Sequence, residues 1–208
     1  NLYIGNIGGH RVPENKVIYK CPEPIFDNNV WTPNPSQGLD CEFIEYTGTT
    51  DETGKDDQET LMVDTDGSIY VITKLFHIYE MGDGENESYS QVYRIPEGGG
   101  PAEFLMNIEP LLGTEFEIQG HTFTPWDQIS SGDISINGDI LIKTYEKVFY
   151  YERGNLTFEE ALSAEPIEVS YEHKFQEMGE AITWDTTGTG YYTLSEERRP
   201  PASDINLF

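Results

Sequence analysis

The stretch that decides the architecture runs Glu59-Thr60-Leu61-Met62-Val63-Asp64-Thr65-Asp66-Gly67 and continues into Ser68-Ile69-Tyr70-Val71-Ile72-Thr73-Lys74. It reads as a short apolar strand, an Asp-Gly hairpin turn and a second strand of β-branched and aromatic residues. The glycine supplies the positive φ that such a turn needs, and the neighbouring Asp, Asn or Thr tolerates the rest of the turn. The unit returns twice. Gly132-Asp133-Ile134-Ser135-Ile136-Asn137-Gly138 leads into Asp139-Ile140-Leu141-Ile142-Lys143-Thr144-Tyr145. Glu180-Ala181-Ile182-Thr183-Trp184-Asp185-Thr186-Thr187-Gly188 leads into Thr189-Gly190-Tyr191-Tyr192-Thr193-Leu194-Ser195-Glu196.

Further strand-like runs follow. Ser90–Ile95 and Glu103–Ile108 come after the first hairpin, and Lys147–Tyr151 and Pro166–Tyr171 after the second. Four antiparallel strands per repeat is the signature of a β-propeller blade. Thr157-Phe158-Glu159-Glu160 entering Ala161-Leu162-Ser163-Ala164 has capping-box spacing and predicts a helical turn or two between the third and fourth strands of its blade. Near the start, Leu2–Asn6 reads as a second strand, Lys16–Lys20 as a third and Cys41–Tyr46 as a fourth; near the end, Asp204–Phe208 reads as a third strand. The expectation is a single all-β propeller domain over residues 1–208, with a partial blade at 1–50, blades at 56–119 and 127–173, and a partial blade at 177–208. About three and a half blades leave open edges that a closed ring removes. The rest of the ring is therefore expected from residues before Asn1 or from another chain, the latter making the protein a subunit of a filament.

Composition narrows the function classes. The chain has 208 residues, with 38 acidic side chains against 12 basic ones and a net charge of −26. A phosphate backbone would be repelled, and no Lys/Arg cluster offers counterion release, so nucleic acid is excluded as a partner. Anionic membrane surfaces are disfavoured for the same reason, and no apolar stretch approaches the 18 residues of a membrane span. With 37% apolar residues and 26 aromatics the chain can still build a core. Its charge favours a protein partner or neighbouring subunit that is cationic or bridged by Ca²⁺.

Cys21 and Cys41 are the only cysteines, each beside a strand-like run, with Pro22, Pro24, Pro33 and Pro35 between them. If the two strands pair antiparallel, the cysteines meet and a disulfide closes the loop; otherwise both are buried thiols. Asn86-Glu87-Ser88 and Asn155-Leu156-Thr157 are glycosylation acceptor tripeptides in polar loops. Together with the acidity and the cysteine placement they point to an extracellular, secreted glycoprotein.

These residues resemble a family of secreted, WD40-like or phytase-like β-propeller proteins, mostly of unassigned function. The family's Y-V-G-D-I-G-D-N strand and V-Y-R-x-P-E-P segment match Tyr3-Ile4-Gly5-Asn6-Ile7-Gly8-Gly9-His10 and Val17-Ile18-Tyr19-Lys20-Cys21-Pro22-Glu23-Pro24. Its D-A-E-T-L-L-V-D and G-x-L-Y-V-V-T-K segments match Asp57 through Lys74, its G-A-D-I-S-P-D-G segment matches Gly132 onward, and its Q-G-E-A-I and S-E segments match Gly179–Ile182 and Ser195-Glu196. Asn6, Gly9 and His10 stand where the family has Asp, Asp and Asn, and Lys143 replaces an Arg. The resemblance implies a five-bladed ring whose first blade and a half lie outside this chain.

First strands of propeller blades line the central channel, so Asp57, Glu59, Asp133 and Glu180 are expected to converge there, with Lys74 and Glu196 nearer one mouth. Carboxylates gathered around a narrow axis call for neutralisation. One expectation is Ca²⁺ bound by Asp57, Glu59, Asp133 and Glu180. Another is that these side chains hydrogen-bond adjacent blades and lock the ring. A third is a metal-dependent phosphoester or glycoside hydrolase using Glu59, Asp133 and Glu180. Cations to oppose a phosphate substrate are limited to Lys74, Lys143, Arg11 and Arg94 near the motifs. Asp64-Thr65-Asp66-Gly67-Ser68 resembles the start of an EF-hand loop but lacks its closing Glu and reads as a hairpin turn. Asp83, Glu85 and Glu87 read as a solvated acidic loop. His10, His77, His121 and His173 are too scattered for zinc. Gly98-Gly99-Gly100 reads as a linker turn, and Trp31, Trp126 and Trp184 as packing between blades. The reading favoured by these residues is a binding or assembly module without catalysis of its own.

Overall fold

The structure, a computed structural model, describes residues 1–8, 16–23, 40–49, 57–74, 76–77, 88–109, 111–112, 116–118, 121–123, 126–169, 179–195 and 206–207. β1 (Leu2–Asn6), β2 (Lys16–Cys21) and β3 (Glu42–Thr47) pair antiparallel in that order. The second sheet is β4 (Gln58–Val63), β5 (Ile69–Thr73), β6 (Phe76–His77), β7 (Ser88–Ile95) and β9 (Glu103–Ile108), while β8 (Gly100–Pro101), which lies between β7 and β9 in the chain, belongs to the first sheet. Here β4, β5, β7 and β9 form an antiparallel meander, β6 adds to β7, and β8 lies parallel to β3. Small ladders follow in β10 (Leu111–Leu112), β11 (Phe116–Ile118), β12 (His121–Phe123) and β13 (Trp126–Asp127), with β11 paired to β12 and β10 to β13. The third sheet is β14 (Ile129–Ile134), β15 (Ile140–Thr144), β16 (Val148–Tyr151) and β17 (Ile167–Glu168), with helix α1 (Phe158–Leu162) between the last two. The fourth is β18 (Gly179–Trp184), β19 (Tyr191–Ser195) and β20 (Asn206–Leu207).

The three hairpins fold as their turn residues require. Asp64 and Ser135 N–H donate to Ser68 and Asp139 carbonyls at 2.8 Å, and Gly67 and Gly138 N–H donate back to Asp64 and Ser135 at 2.9 Å. Gly67 and Gly138 both sit at φ 91°, the left-handed position of a three-residue hairpin loop. The third loop is one residue longer, Asp185 N–H reaching Gly190 O, and keeps Gly188 at φ 69°. The EF-hand-like segment is thus a hairpin turn.

Alternation on the strands explains how the sheets stack. Both β5 and β15 are buried at every residue. Ile69 and Val71 pack with Ile18, Ile44 and Tyr46 of the first sheet, while Tyr70 and Ile72 turn the other way to Ile140, Ile142 and Phe149 of the third. Leu141, on the opposite face of β15, meets Ile182 and Tyr191 of the fourth sheet. Successive sheets therefore lie face to face in chain order, each burial of an Ile or Val contributing roughly 1.5–3 kcal/mol. The first strands gather on one side of this stack, β14 lying beside both β4 and β18.

Helix α1 carries the predicted capping box: Glu160 N–H donates to Thr157 Oγ1 at 3.1 Å, and Thr157 N–H donates to Glu160 Oε2 at 2.8 Å. Its Phe158 stacks on Tyr70 with ring centroids 3.8 Å apart. Cys21 and Cys41 form a disulfide across a separation of 20 residues. Gly98-Gly99-Gly100 does more than the linker turn expected of it. Gly99 sits at φ 77°, and a Cβ there would lie 2.3 Å from Glu45 O, so only glycine lets the backbone come close enough for β8 to pair with β3. The ladders between Leu111 and Asp127 were not anticipated, because runs of two or three residues give no period to read.

Candidate functional site

In all three hairpins the ladder slips at the same level. Gln58 faces Thr73 and Thr60 faces Ile72; Ile129 faces Thr144 and Ser131 faces Lys143; Gly179 faces Ser195 and Ala181 faces Leu194. The extra residues are Glu59, Ser130 and Glu180. A β-bulge leaves one residue out of the pairing and re-aims its side chain. Two of the glutamates singled out by sequence are therefore equivalent bulge residues, and Lys74 and Tyr145 are equivalent residues following β5 and β15.

These side chains form a line of contacts across three sheets. Lys74 Nζ lies 3.2 Å from Glu59 Oε1 and 5.1 Å from the centre of the Tyr145 ring. Tyr145 OH donates to Glu180 Oε1 at 3.4 Å. Asp57 adds its charge nearby, and its backbone carbonyl accepts the Lys74 N–H at 2.8 Å. Acids outnumber the single ammonium, and the titration behaviour follows. Burial pushes the Glu59 carboxyl above its ordinary value, Asp57 and Glu180 push the same way, and Lys74 offsets them only in part. For Lys74 burial acts to lower the ammonium's value, but the bond to Tyr145 and the Glu59 charge outweigh it and hold Lys74 above the ordinary range. Burial likewise raises the Tyr145 phenol.

Asp133 performs a different task. Its Oδ2 accepts from Trp184 N–H and from Thr183 Oγ1, each at 2.8 Å, and its Oδ1 accepts from Ile134 N–H at 2.9 Å. Ser131 Oγ accepts from Ile182 N–H at 3.2 Å. Residues 131 and 133 thus match 182 and 184, which makes β14 and β18 parallel neighbours and ties the third sheet to the fourth. Asp133, level with Trp184, therefore stands four residues along the strand from Glu180, about 13 Å at the ordinary rise.

A second tie joins the second and third sheets at the turn end. Arg153 Nη1 meets Asp64 Oδ2 at 2.5 Å, its Nε donates to Leu156 O at 3.2 Å, and its backbone N–H donates to Asp139 Oδ1 at 3.0 Å. The Asp64 side chain is only 2% exposed, so Arg153 neutralises a buried charge.

The site thus brings together Asp57, Glu59, Glu180 and Lys74 and sets Asp133 apart. Ca²⁺ wants six to eight oxygens around one point. The set named from sequence does not fit that demand, since Asp133 has both oxygens engaged elsewhere and Glu59 faces an ammonium. Among the described residues no group of three His, Cys, Asp or Glu is placed to hold a metal ion. Lys143 is fully buried, with Nζ donating to Thr144 O at 2.6 Å, and Arg94 pairs with Glu103 at 2.5 Å. Trp184 packs edge-on to Tyr150 at 6.2 Å between the third and fourth sheets. His77, His121 and Trp126 lie on β6, β12 and β13. Asn155 is exposed, and the Thr157 of its acceptor tripeptide is the N-cap of α1. Glu196, Asn86, Arg11, His10, His173, Trp31, Asp83, Glu85 and Glu87 lie outside the described residues.

Sequence reading missed Tyr145, Arg153, Ser131 and Thr183. Arg153 reaches a partner 89 positions away, a separation at which no local spacing gives a signal. Tyr145 could have been found from its equivalence to Lys74 in the repeat. No helix among the described residues is long and apolar enough to cross a membrane. No protein-family model, curated protein or solved structure matches the chain.

Proposed function

We propose that the chain is part of a β-propeller, five-bladed as the family resemblance implies, serving outside the cell as a binding and assembly module without catalysis of its own. The observation that carries this reading is the use made of Asp133: both carboxylate oxygens hold backbone or hydroxyl groups of its own and the next first strand. Face-to-face sheets with parallel first strands gathered on one side support the propeller. The ion pair from Arg153 to Asp64 supports the view that charges between the sheets hold the assembly together.

One observation favours a second reading. Glu59, whose carboxyl burial raises above its ordinary value, shares one cluster with Glu180, and two carboxyls in one site are what acid–base hydrolysis requires. Glu59→Gln, Glu180→Gln and Asp133→Asn separate the two readings when assayed on phosphoesters and glycosides alongside thermal melts. The module reading expects no turnover in the parent protein and the largest fall in melting temperature for Asp133→Asn. Turnover that disappears in Glu59→Gln with the melt unchanged establishes the hydrolase instead.

A further inference from the structure

One row of side chains occurs twice. In the first sheet Tyr3, Lys20 and Glu42 stand in register, and in the second Tyr70, Arg94 and Glu103 do the same. Each cation pairs with the acid of its own row, Lys20 with Glu42 at 3.3 Å and Arg94 with Glu103 at 2.5 Å. Each tyrosine faces the next sheet in the stack. The rows differ in what they meet there. Phe158 of α1 lies on Tyr70 with the rings 10° from parallel, and α1 sits in the link between the third and fourth strands of its sheet. The matching link of the second sheet is residues 96–102, which turns with Gly99 N–H donating to Pro96 O and runs into β8 against β3. That link sets no ring on Tyr3, and among the described residues no ring stacks there. A cleft of about 400 Å³ opens instead.

The cleft is bounded by these two sheets, the hairpin of the second and the link that follows β7. Buried Ile44, Ile69 and Ile95 make its floor, Tyr3 forms a wall, and Asp66 and Glu97 are exposed at its rim. Its volume is that of a small-molecule site. Lys20 and Arg94 are each answered by a carboxylate of their own row. Among the described residues no ion pair takes Asp66 or Glu97, and Asp66 Oδ1 accepts from Ser68 N–H at 2.8 Å. The rim therefore keeps its negative charge, in a chain that carries −26, and it draws cations and repels anions. The floor and the Tyr3 ring call for an apolar ring, the group that Phe158 supplies to Tyr70. We infer that the cleft is a binding site for a small aromatic amine, its ring stacked on Tyr3 over the isoleucine floor and its ammonium facing Glu97 and Asp66. The site lies at the turn end of the sheets, whereas Glu59 and Lys74 lie at the other end, so it goes beyond the function proposed above and is tested apart from it.

The test uses the full chain and phenethylamine, which joins the ring of a phenylalanine to an ammonium. An NMR titration should give a Kd of about 1 mM, in the range of weak small-molecule sites. Hydrocinnamate, which carries a carboxylate on the same ring, should bind at least about tenfold more weakly, and so should propylamine, which has no ring. Glu97→Gln and Tyr3→Leu should each weaken phenethylamine binding about tenfold. Glu97 is exposed, so its variant should keep the parent melting temperature, which separates a lost ligand contact from a lost fold. No binding of phenethylamine at about 10 mM, ten times the expected Kd, overturns the inference. So does equal binding of phenethylamine and hydrocinnamate, because the acidic rim then selects nothing. Binding lost in Glu59→Gln and kept in Glu97→Gln overturns it too, since the amine then sits in the cluster at the other end of the sheets. Hydrolytic activity found in the assays above would remove the module reading and leave the outcome of this titration unchanged.

Discussion

The third sheet and the first sheet are built alike and covered differently. Ile140, Leu141 and Ile142 of β15 are buried without a break because the second sheet lies on one face and the fourth on the other. In β1 Leu2 and Ile4 are apolar yet open to solvent, and only the face holding Tyr3 meets the second sheet. An apolar side chain stabilises only as far as its area leaves water. The same residue type should therefore matter greatly in one sheet and little in the other. Ile142→Ala should destabilise by about 4 kcal/mol, the cost of lost burial plus a cavity with a sheet on each side. Ile4→Ala should stay within about 0.5 kcal/mol. Chemical denaturation of the two variants checks the contrast, and equal losses would mean that the bare face is covered in solution.

Cross-ties differ between the two sheets as well. The third sheet reaches the second through Arg153 and the buried carboxylate of Asp64. Arg153→Met should cost about 3–4 kcal/mol, because it strands a charge that is out of water. Asp64→Asn added to it should recover part of the loss in a double-mutant cycle. The first sheet has a covalent tie instead, Cys21 to Cys41, where one face contributes no burial. Replacing both cysteines by serine should cost about 3 kcal/mol through the freedom returned to the unfolded loop. Hydrogen exchange should show the loosening in β2 and β3 and leave β15 unchanged.

What could be read in the sequence follows the same division. The hairpins were legible because Gly67, Gly138 and Gly188 mark turns that few other residues can make, and β5 and β15 because burial on both faces writes an unbroken run of apolar residues. The helix was legible from Thr157 and Glu160, whose spacing is itself the capping geometry. The candidate site was legible only in part. Glu59 and Glu180 were found by repeat alignment, but nothing local says that each is the unpaired residue of a bulge, which is why they share a level while Asp133 does not. Arg153 and Tyr145 act between sheets, and contacts between sheets have no period along the chain. The face carrying Leu2 and Ile4 reads as core in sequence, and only the stacking reveals that no described residue covers it.

A smaller loss than those expected at Ile142, Arg153 and the disulfide concerns the cluster that crosses from the second sheet to the fourth, and pH resolves it. Glu59 is held above its ordinary value of 4.5, so the fold favours its protonated form. This group's contribution to stability is present below the unfolded value and declines as pH rises through the folded one. Lys74 is held above 10.5, so its contribution is present through neutral pH and is lost as pH climbs past its folded value. Lys74→Met should remove the alkaline loss. It should also raise Glu59 further, because Asp57 and Glu180 then act on it without a nearby ammonium. The variant should be about 1 kcal/mol less stable at neutral pH, a modest figure because both partners keep some contact with water, and closer to the parent at pH 4, where the carboxyl is protonated in both. Carboxyl NMR of Glu59 with urea melts at pH 4, 7 and 10.5 measures each part. If Glu59 does not rise when Lys74 is lost, the contacts are a surface coincidence and the bulges do not gather a working cluster.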